Sequence, residues 1–185
     1  MAAMGMEAAT IKNLWLEMPD TILPYLTRQN RKDLVDMSDM GVKATTANLF
    51  GGKTQLDTLT DRFMALTLSE SSTLQLRLII RAGGDSVICA VKTVSGPEKA
   101  SDISVFDLRW QRLNVKIPQP HLPARPDTMS TEKYDRLMEA IHPITTYARL
   151  HADDDRITMG FSLLTASSED RKALEALLKE EDLIL

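Results

Sequence analysis

Thiol groups are almost absent from this chain, because its 185 residues include a single cysteine, Cys89. One cysteine cannot form an intramolecular disulfide, and it cannot assemble a thiolate metal site by itself. Cys89 lies within the apolar run 87–91, which is typical of a buried strand residue. A reactive thiol is the alternative interpretation.

Aromatic residues are also scarce, at 5% of the chain, so the sequence offers no obvious stacking platform for bases or sugars. Basic residues are dispersed, and 22 of them stand against 26 acidic residues for a net charge of −4. A general nucleic-acid-binding protein shows a basic stripe instead. No apolar run reaches the roughly 18 residues of a membrane-spanning helix. We therefore expect neither a nucleic-acid partner nor a membrane span.

Motifs for nucleotide binding and for nucleophilic catalysis are incomplete. The Gly-Gly-Lys-Thr sequence at 51–54 has Ala47 where a phosphate-binding loop has its first glycine, and strand-like alternation follows it. No Gly-x-Ser-x-Gly nucleophile elbow occurs. The three histidines, His121, His142 and His151, have no nucleophile at a suggestive spacing. We assign no catalytic residue and expect no cofactor.

One acidic turn could hold a metal ion. His151, Asp153 and Asp155 lie within five residues, and their side chains are ligand types for divalent cations. A single hairpin supplies too few oxygens for calcium, however, and acidic residues populate turns because they hydrogen-bond to the local backbone. The turn interpretation is favoured, with His151, Asp153 and Asp155 kept as a weak metal-site candidate.

Two segments, 73–80 and 156–163, alternate apolar and polar residues almost without a fault. The apolar residues that share one side are Leu74, Leu76, Leu78 and Ile80 in the first segment and Ile157, Met159, Phe161 and Leu163 in the second. A period of two predicts strands with one buried side and one side in solvent, as in antiparallel sheets. Further strands are expected at 42–50, 55–59, 62–69, 86–94, 103–113 and 144–150.

Helical patterns flank these strands instead of alternating with them. They cover 11–18, 22–26, 27–40, 130–141 and a final helix from Ser167. Gly41 suits the end of the third helix. The predicted fold is therefore α+β, with an antiparallel β-meander covered by N-terminal and C-terminal helices.

Two segments fall outside these elements. Residues 117–127 contain four of the eight prolines, which predicts an extended strap. Residues 1–9 are rich in small side chains and are interpreted either as a disordered tail or as the remnant of a signal peptide. We expect residues 10–185 to form one α+β domain.

Several short motifs carry a family resemblance. They are the stretch 26–37, Asn-Leu-Phe-Gly-Gly at 48–52, Leu-Thr-Asp at 59–61, Val-Ile at 87–88 and Thr-Val-Ser-Gly-Pro at 93–97 ahead of Trp110. In this order and spacing they resemble a Bacteroidales-restricted family of exported proteins classed only as a domain of unknown function, and the final helix is similar too. The resemblance implies a periplasmic or secreted location and supplies no catalytic residue. Members typically have a signal peptide and a tryptophan-containing tail, and a truncated chain would lack both.

These observations favour a non-enzymatic cell-envelope protein that binds a protein or peptide partner through a sheet face or edge. A carrier of a small apolar ligand or lipid is one alternative, and it would need a large apolar cavity. A hydrolase built on a histidine and the carboxylates of the acidic turn is the other. It would need a histidine within hydrogen-bond reach of both a nucleophile and a carboxylate.

Overall fold

The computed structural model describes residues 9–81 and 83–184, which form four α-helices and nine β-strands. The helices are α1 (Ile11–Glu17), α2 (Arg28–Asp39), α3 (Thr131–Ala140) and α4 (Ser168–Leu177). The strands are β1 (Thr45–Ala47), β2 (Lys53–Leu59), β3 (Phe63–Ser69), β4 (Ser72–Ile80), β5 (Ser86–Ser95), β6 (Lys99–Phe106), β7 (Thr146–Leu150), β8 (Arg156–Phe161) and β9 (Glu181–Ile184). Residues 1–8, which hold most of the predicted tail, lie outside the described residues.

Strands β1 to β6 form one antiparallel sheet in chain order, and β7, β8 and β9 form a second antiparallel sheet. The predicted α+β class with an antiparallel meander is confirmed. No helix within the described residues is long and apolar enough to cross a membrane. Helices α3 and α4 pack against each other around Leu137 and Leu174.

Helices α1 and α2 cover one face of the six-stranded sheet. Each begins at a threonine whose side chain accepts a hydrogen bond from the first turn, Thr10 in α1 and Thr27 in α2. Gly41 follows α2 with φ +69°, a conformation that glycine adopts without strain. This first core contains, among others, Ile11, Leu14, Trp15, Leu34 and Val35 from the helices and Leu66, Leu76 and Ile88 from the sheet.

The opposite face of the same sheet is covered by β7, β8 and β9. This second core contains, among others, Ile79, Cys89, Val91 and Val105 from the large sheet and Ala148, Leu150, Ile157 and Met159 from the small one. The expectation that one face of the meander lies in solvent is therefore wrong for its central strands. The apolar and polar residues of β4 do alternate between the two faces of the sheet, but the small sheet covers the more polar face and separates it from solvent.

Several elements differ from the predicted ones. Residues 20–26 form turns instead of a helix, and buried Arg31 takes up the carbonyl oxygens of Met18 and Leu26 that flank this segment. Strand β6 ends at Phe106, because the Asp107 side chain accepts hydrogen bonds from two backbone amides of the turn that follows. Strand β9 was not predicted, and Ile80, expected inside, is 54% exposed.

Candidate functional site

The acidic turn between β7 and β8 joins the two sheets. Asp155 accepts a hydrogen bond from Arg77 Nε at 2.9 Å and from Arg62 Nη2 at 3.0 and 3.1 Å. Arg77 belongs to β4, is 3% exposed, and also donates from Nη1 to the carbonyl oxygen of Ala152 at 2.6 Å. The carboxylate of Asp155 is therefore engaged by two guanidinium groups in the structure, and its contacts are structural.

The other two metal candidates point elsewhere. His151 Nε2 lies 2.6 Å from Thr158 Oγ1, whose hydroxyl donates to Asp182 Oδ1 at 2.5 Å. Asp153 is exposed on the turn. Within residues 9–81 and 83–184, no three His, Cys, Asp or Glu side chains are grouped so as to hold a metal ion.

The group formed by His151, Thr158 and Asp182 differs from a hydrolase triad in its bonding. In a triad the carboxylate orients the histidine, and the histidine accepts the proton of the nucleophile. Here the hydroxyl proton of Thr158 goes to the carboxylate, while His151 Nε2 is 4.0 Å from Asp182. The hydrogen bond from Thr158 holds the pKa of Asp182 below its ordinary value. The group ties β8 to β9.

The remaining sequence candidates are also engaged in local structure. Cys89 is fully buried, and burial raises the pKa of its thiol to about 12, which opposes formation of a thiolate. The amides of Phe50 and Gly52 donate to Asn48 Oδ1, so they are directed at a side chain instead of at a phosphate. His121, in the strap, lies 2.9 Å from a carboxylate oxygen of Glu181 on β9.

Strand β6 forms one edge of the large sheet, and its outer side is only partly paired. Leu113 donates its backbone N–H to the carbonyl oxygen of Val105 at 2.8 Å, beside an isolated bridge between Phe106 and Arg112. Backbone groups of an edge strand point outward at every second residue. Ser101 and Ile103 therefore direct their N–H and C=O groups away from β5, as Val105 does.

Beyond Leu113 the chain moves away from β6 and leaves an opening of about 360 Å³. We call it the edge slot; its walls are formed by Ile103, Ser104 and Val105 on β6 and by residues 112–115 and 117 opposite. Among the backbone-to-backbone hydrogen bonds of the described residues, none involves the outward groups of Ser101 or Ile103. The edge slot therefore presents backbone donors and acceptors beside apolar side chains.

A larger apolar groove of about 820 Å³ adjoins the edge slot, and Ile117 lines both. We call it the strap groove. It is lined by Lys116, by strap residues 117–122 and by Ile144, Thr146, Phe161, Leu183 and Ile184. Leu122, Ile144 and Ile184 are 43%, 42% and 79% exposed at its rim.

The strap is anchored on both sides of this groove. Tyr134 Oη on α3 donates to the carbonyl oxygen of Pro123 at 2.7 Å. The backbone N–H of His121 donates to Glu181 on β9 at 3.1 Å. The strap groove is therefore formed by a fixed wall, which favours binding of a ligand with little reorganisation.

The free edge of β7 is protected, in contrast to that of β6. Its Ala148 amide donates to Ser101 Oγ and its Leu150 amide to Gln75 Oε1, each at 2.9 Å. Side chains of the large sheet thus occupy the backbone groups that an incoming strand would use. This difference makes the edge slot on β6 the candidate functional site, together with the strap groove.

Comparison with known proteins places the chain in a family. The sequence model of a family described as "Protein of unknown function (DUF3256)" matches residues 3–184. The chain belongs to the DUF3256 family. A solved structure of a domain of an uncharacterized protein from Porphyromonas gingivalis W83 is similar to this DUF3256 chain, with a TM-score of 0.76 and 22% sequence identity. The match covers 94% of this chain and 91% of the other; no curated protein matches.

The expected membership in a family of unknown function is confirmed, and the similar structure comes from a member of the Bacteroidales. At 22% identity that likeness shows the fold alone. The DUF3256 match assigns no activity and no site residue. The edge slot was missed by sequence reasoning, although Leu113, Val115 and Ile117 alternate directly before the prolines. That alternation was the available signal.

Proposed function

We propose that this protein is a non-enzymatic module of the cell envelope that binds an extended segment of a partner protein at the edge slot. The observation that carries the proposal is the outward backbone groups of Ser101 and Ile103 beside an apolar groove. An added strand would supply hydrogen bonds to β6, and its alternate side chains would lie toward the strap groove.

The energetics favour a combination of both surfaces. A backbone hydrogen bond contributes only about 1 kcal/mol net, so the few that β6 can form give weak binding by themselves. Burying one large apolar side chain adds about 2 kcal/mol. The strap groove, at about 820 Å³, has room for such side chains. We expect micromolar to millimolar affinity for a short peptide.

The test uses a synthetic nonapeptide of alternating threonine and valine with the full chain labelled with ¹⁵N. Binding is expected to shift the amide resonances of Ser101, Ile103 and Ile117 and to slow hydrogen exchange at Ile103. N-methylating the alternate peptide amides that face β6 should abolish these effects, whereas N-methylating the other set should preserve them. Equal effects from both sets would contradict strand addition.

A protein variant complements the modified peptides. Ile103→Pro removes the outward N–H of an edge strand, a position where proline is tolerated because no ladder bond is lost. Ile103→Ala is the matched control, since it keeps the backbone donor and removes the side chain. We expect the proline variant to bind the peptide at least several-fold more weakly than the alanine variant. Circular dichroism checks that both variants fold.

A carrier of a small apolar ligand is the second candidate, because the strap groove is lined mainly by apolar side chains. A fluorescent fatty acid distinguishes it from the first. Saturable binding that the nonapeptide does not displace would favour the carrier. Displacement by the peptide, or no binding of the fatty acid, would favour the peptide-binding module.

The envelope location is part of the same proposal, and the family resemblance of the sequence supports it. Fractionation of cells that produce the native gene product with a C-terminal tag tests it directly. Release of the tag with the periplasmic fraction, or recovery from the medium, is expected. Recovery with cytoplasmic markers would contradict the location while leaving the peptide-binding proposal to its own experiment.

A further inference from the structure

Among residues 9–81 and 83–184, the Lys, Arg, Asp and Glu side chains that line the openings at the proposed peptide site are all basic. Arg112 lines the edge slot, and Lys116 and His121 line the strap groove. Arg81 and Lys116 line a third recess of about 100 Å³ that adjoins Val105 and Val115. In the described part of the chain, no aspartate or glutamate lines any of these three openings.

This distribution differs from that of the rest of the molecule. The chain as a whole has a net charge of −4. Two other openings, of about 470 and 290 Å³, meet at Tyr147 and Glu180 and mix both signs of charge. Their charged lining residues are Lys99, Arg149, Arg171 and Lys179 with Glu98, Glu175 and Glu180. A lining of basic residues alone therefore distinguishes the edge slot, the strap groove and their neighbouring recess from those two openings.

Of these basic side chains, His121 is paired with Glu181, and the other three stand outside the ion pairs of the described residues. None of Arg81, Arg112 and Lys116 takes part in the salt bridges found among residues 9–81 and 83–184. Two carboxylates lie near the site. Asp102 accepts from Ser104 Oγ, and Glu181 is held by His121. Arg112 and Lys116 are thus available to a carboxylate of a ligand.

We propose that the peptide bound at the edge slot is acidic, with apolar side chains on one face and aspartate or glutamate on the other. This inference rests on the proposed function. Apolar side chains lie toward the strap groove, while the carboxylates meet Arg112 at the edge slot and the exposed Lys116 at the adjoining end of the strap groove. The hydrogen-bonding edge of β6 favours a polypeptide over other polyanions, because it complements backbone amides.

The experiment compares three nonapeptides in which valine alternates with glutamate, threonine or lysine. At low ionic strength we expect the glutamate peptide to bind about tenfold more tightly than the threonine peptide, and the lysine peptide more weakly than both. The advantage should shrink as salt is added, because exposed charges are screened. Isothermal titration calorimetry measures all three.

Charge reversal localises the effect. Arg112→Glu and Lys116→Glu should each weaken the glutamate peptide several-fold and leave the threonine peptide nearly unchanged. Lys43→Glu is the matched control, because Lys43 is exposed beside β1, at the opposite end of the sheet. Loss of affinity in the control variant equal to that at Lys116 would overturn the inference, since general charge would then explain it.

The outcomes separate the two proposals. Equal affinity for the glutamate and threonine peptides, or tighter binding of the lysine peptide, overturns the acidic preference and leaves the peptide-binding function standing. Failure of all three peptides to bind overturns the proposed function itself. Tighter binding of the glutamate peptide that depends on Arg112 and Lys116 supports both.

Discussion

The two faces of the six-stranded sheet are buried by different means. On the helical face, Met64, Leu66 and Leu76 share an apolar core with α1 and α2, and the buried Arg31 side chain bonds to carbonyl oxygens of the helical layer itself. On the other face apolar contacts alternate with polar ones, because Arg77 and Gln75 of β4 hydrogen-bond to the small sheet. One face of a sheet can therefore be covered by a mainly apolar layer, and the other by a layer that also forms side-chain hydrogen bonds with it.

This difference has a consequence for function. Ser101 and Gln75 occupy the backbone amides of β7, so the small sheet is fixed against the large one and its edge is blocked. Within residues 9–81 and 83–184, no side-chain hydrogen bond reaches the outward backbone groups of Ser101 or Ile103 on β6. The polar contacts of the second core thus engage the outer edge of β7 and leave the outward groups of Ser101 and Ile103 on β6 outside the hydrogen bonds of the described residues.

The largest expected loss of stability comes from removing a buried side chain on the helical face of the sheet. Trp15 is 0% exposed, and its Nε1 donates to the carbonyl oxygen of Arg31 at 3.2 Å. Trp15→Ala should lower the free energy of unfolding by about 3–5 kcal/mol, because it leaves a cavity and an unpaired carbonyl. Urea denaturation followed by circular dichroism measures it.

Trp15→Phe is the control for that variant, since it keeps most of the buried area and loses the N–H donor. We expect it to cost about 1–2 kcal/mol. A loss below 1 kcal/mol for the alanine variant would show that the helical layer contributes little to stability.

A smaller loss of stability is expected from removing the ion pair between Asp155 and Arg77 on the opposite face of the sheet. Asp155→Ala leaves the guanidinium of Arg77 buried without its carboxylate, which should cost about 2–3 kcal/mol. Arg77→Met places an apolar chain in the same interface and should cost less, at about 1 kcal/mol. Denaturation of both single variants and of the double variant gives the coupling between the two side chains.

The double variant decides the interpretation. If Asp155 acts through Arg77, the double variant is less destabilised than the sum of the single ones. Strict additivity would mean that the contact does not join the sheets, and that Arg62 or the turn itself explains the effect of Asp155→Ala.

The helical face was the part of the fold that the sequence predicted best. Leucines at every second position marked β4, and Gly41 marked the end of α2, because burial of large apolar groups leaves a periodic signal. Two strands of the small sheet were predicted, at 144–150 and 156–163, yet their position on the polar face of β4 was not. The alternating sequence pattern is the same whether the polar side chains of a strand lie in water or contact a second sheet.

Apart from the alternation at residues 113–117, the candidate site could not be predicted, for a related reason. The outward backbone groups of Ser101 and Ile103 have no signature in side chains, since every edge strand has them. Only the path of the chain after Leu113 shows that the edge stays open. For the acidic turn the sequence favoured a structural role over a metal site, and Asp155 has the residue type of a metal ligand but the position of an ion-pair partner.

The smallest expected effect on stability comes from the exposed ion pair of Asp154, in contrast to that of its neighbour Asp155. Asp154 accepts from the Arg156 side chain at 2.7 and 2.9 Å and from its backbone N–H at 2.9 Å. The side-chain hydrogen bond comes first among the causes that lower the pKa of Asp154 from 3.8 to about 2. A lowered pKa stabilises the folded protein above pH 3.8, and the stabilisation is lost as the pH falls toward 2.

Asp154→Asn should therefore be slightly less stable than the parent at neutral pH, and the difference should vanish on acidification through that interval. The effect is small because the pair is exposed to solvent and screened by it. Asp153→Asn is the control, because Asp153 is an exposed residue of the same turn. Urea midpoints across the interval, with the carboxyl of Asp154 followed by NMR, measure both. A stability difference that does not change with pH would show that the ion pair with Arg156 does not form in solution.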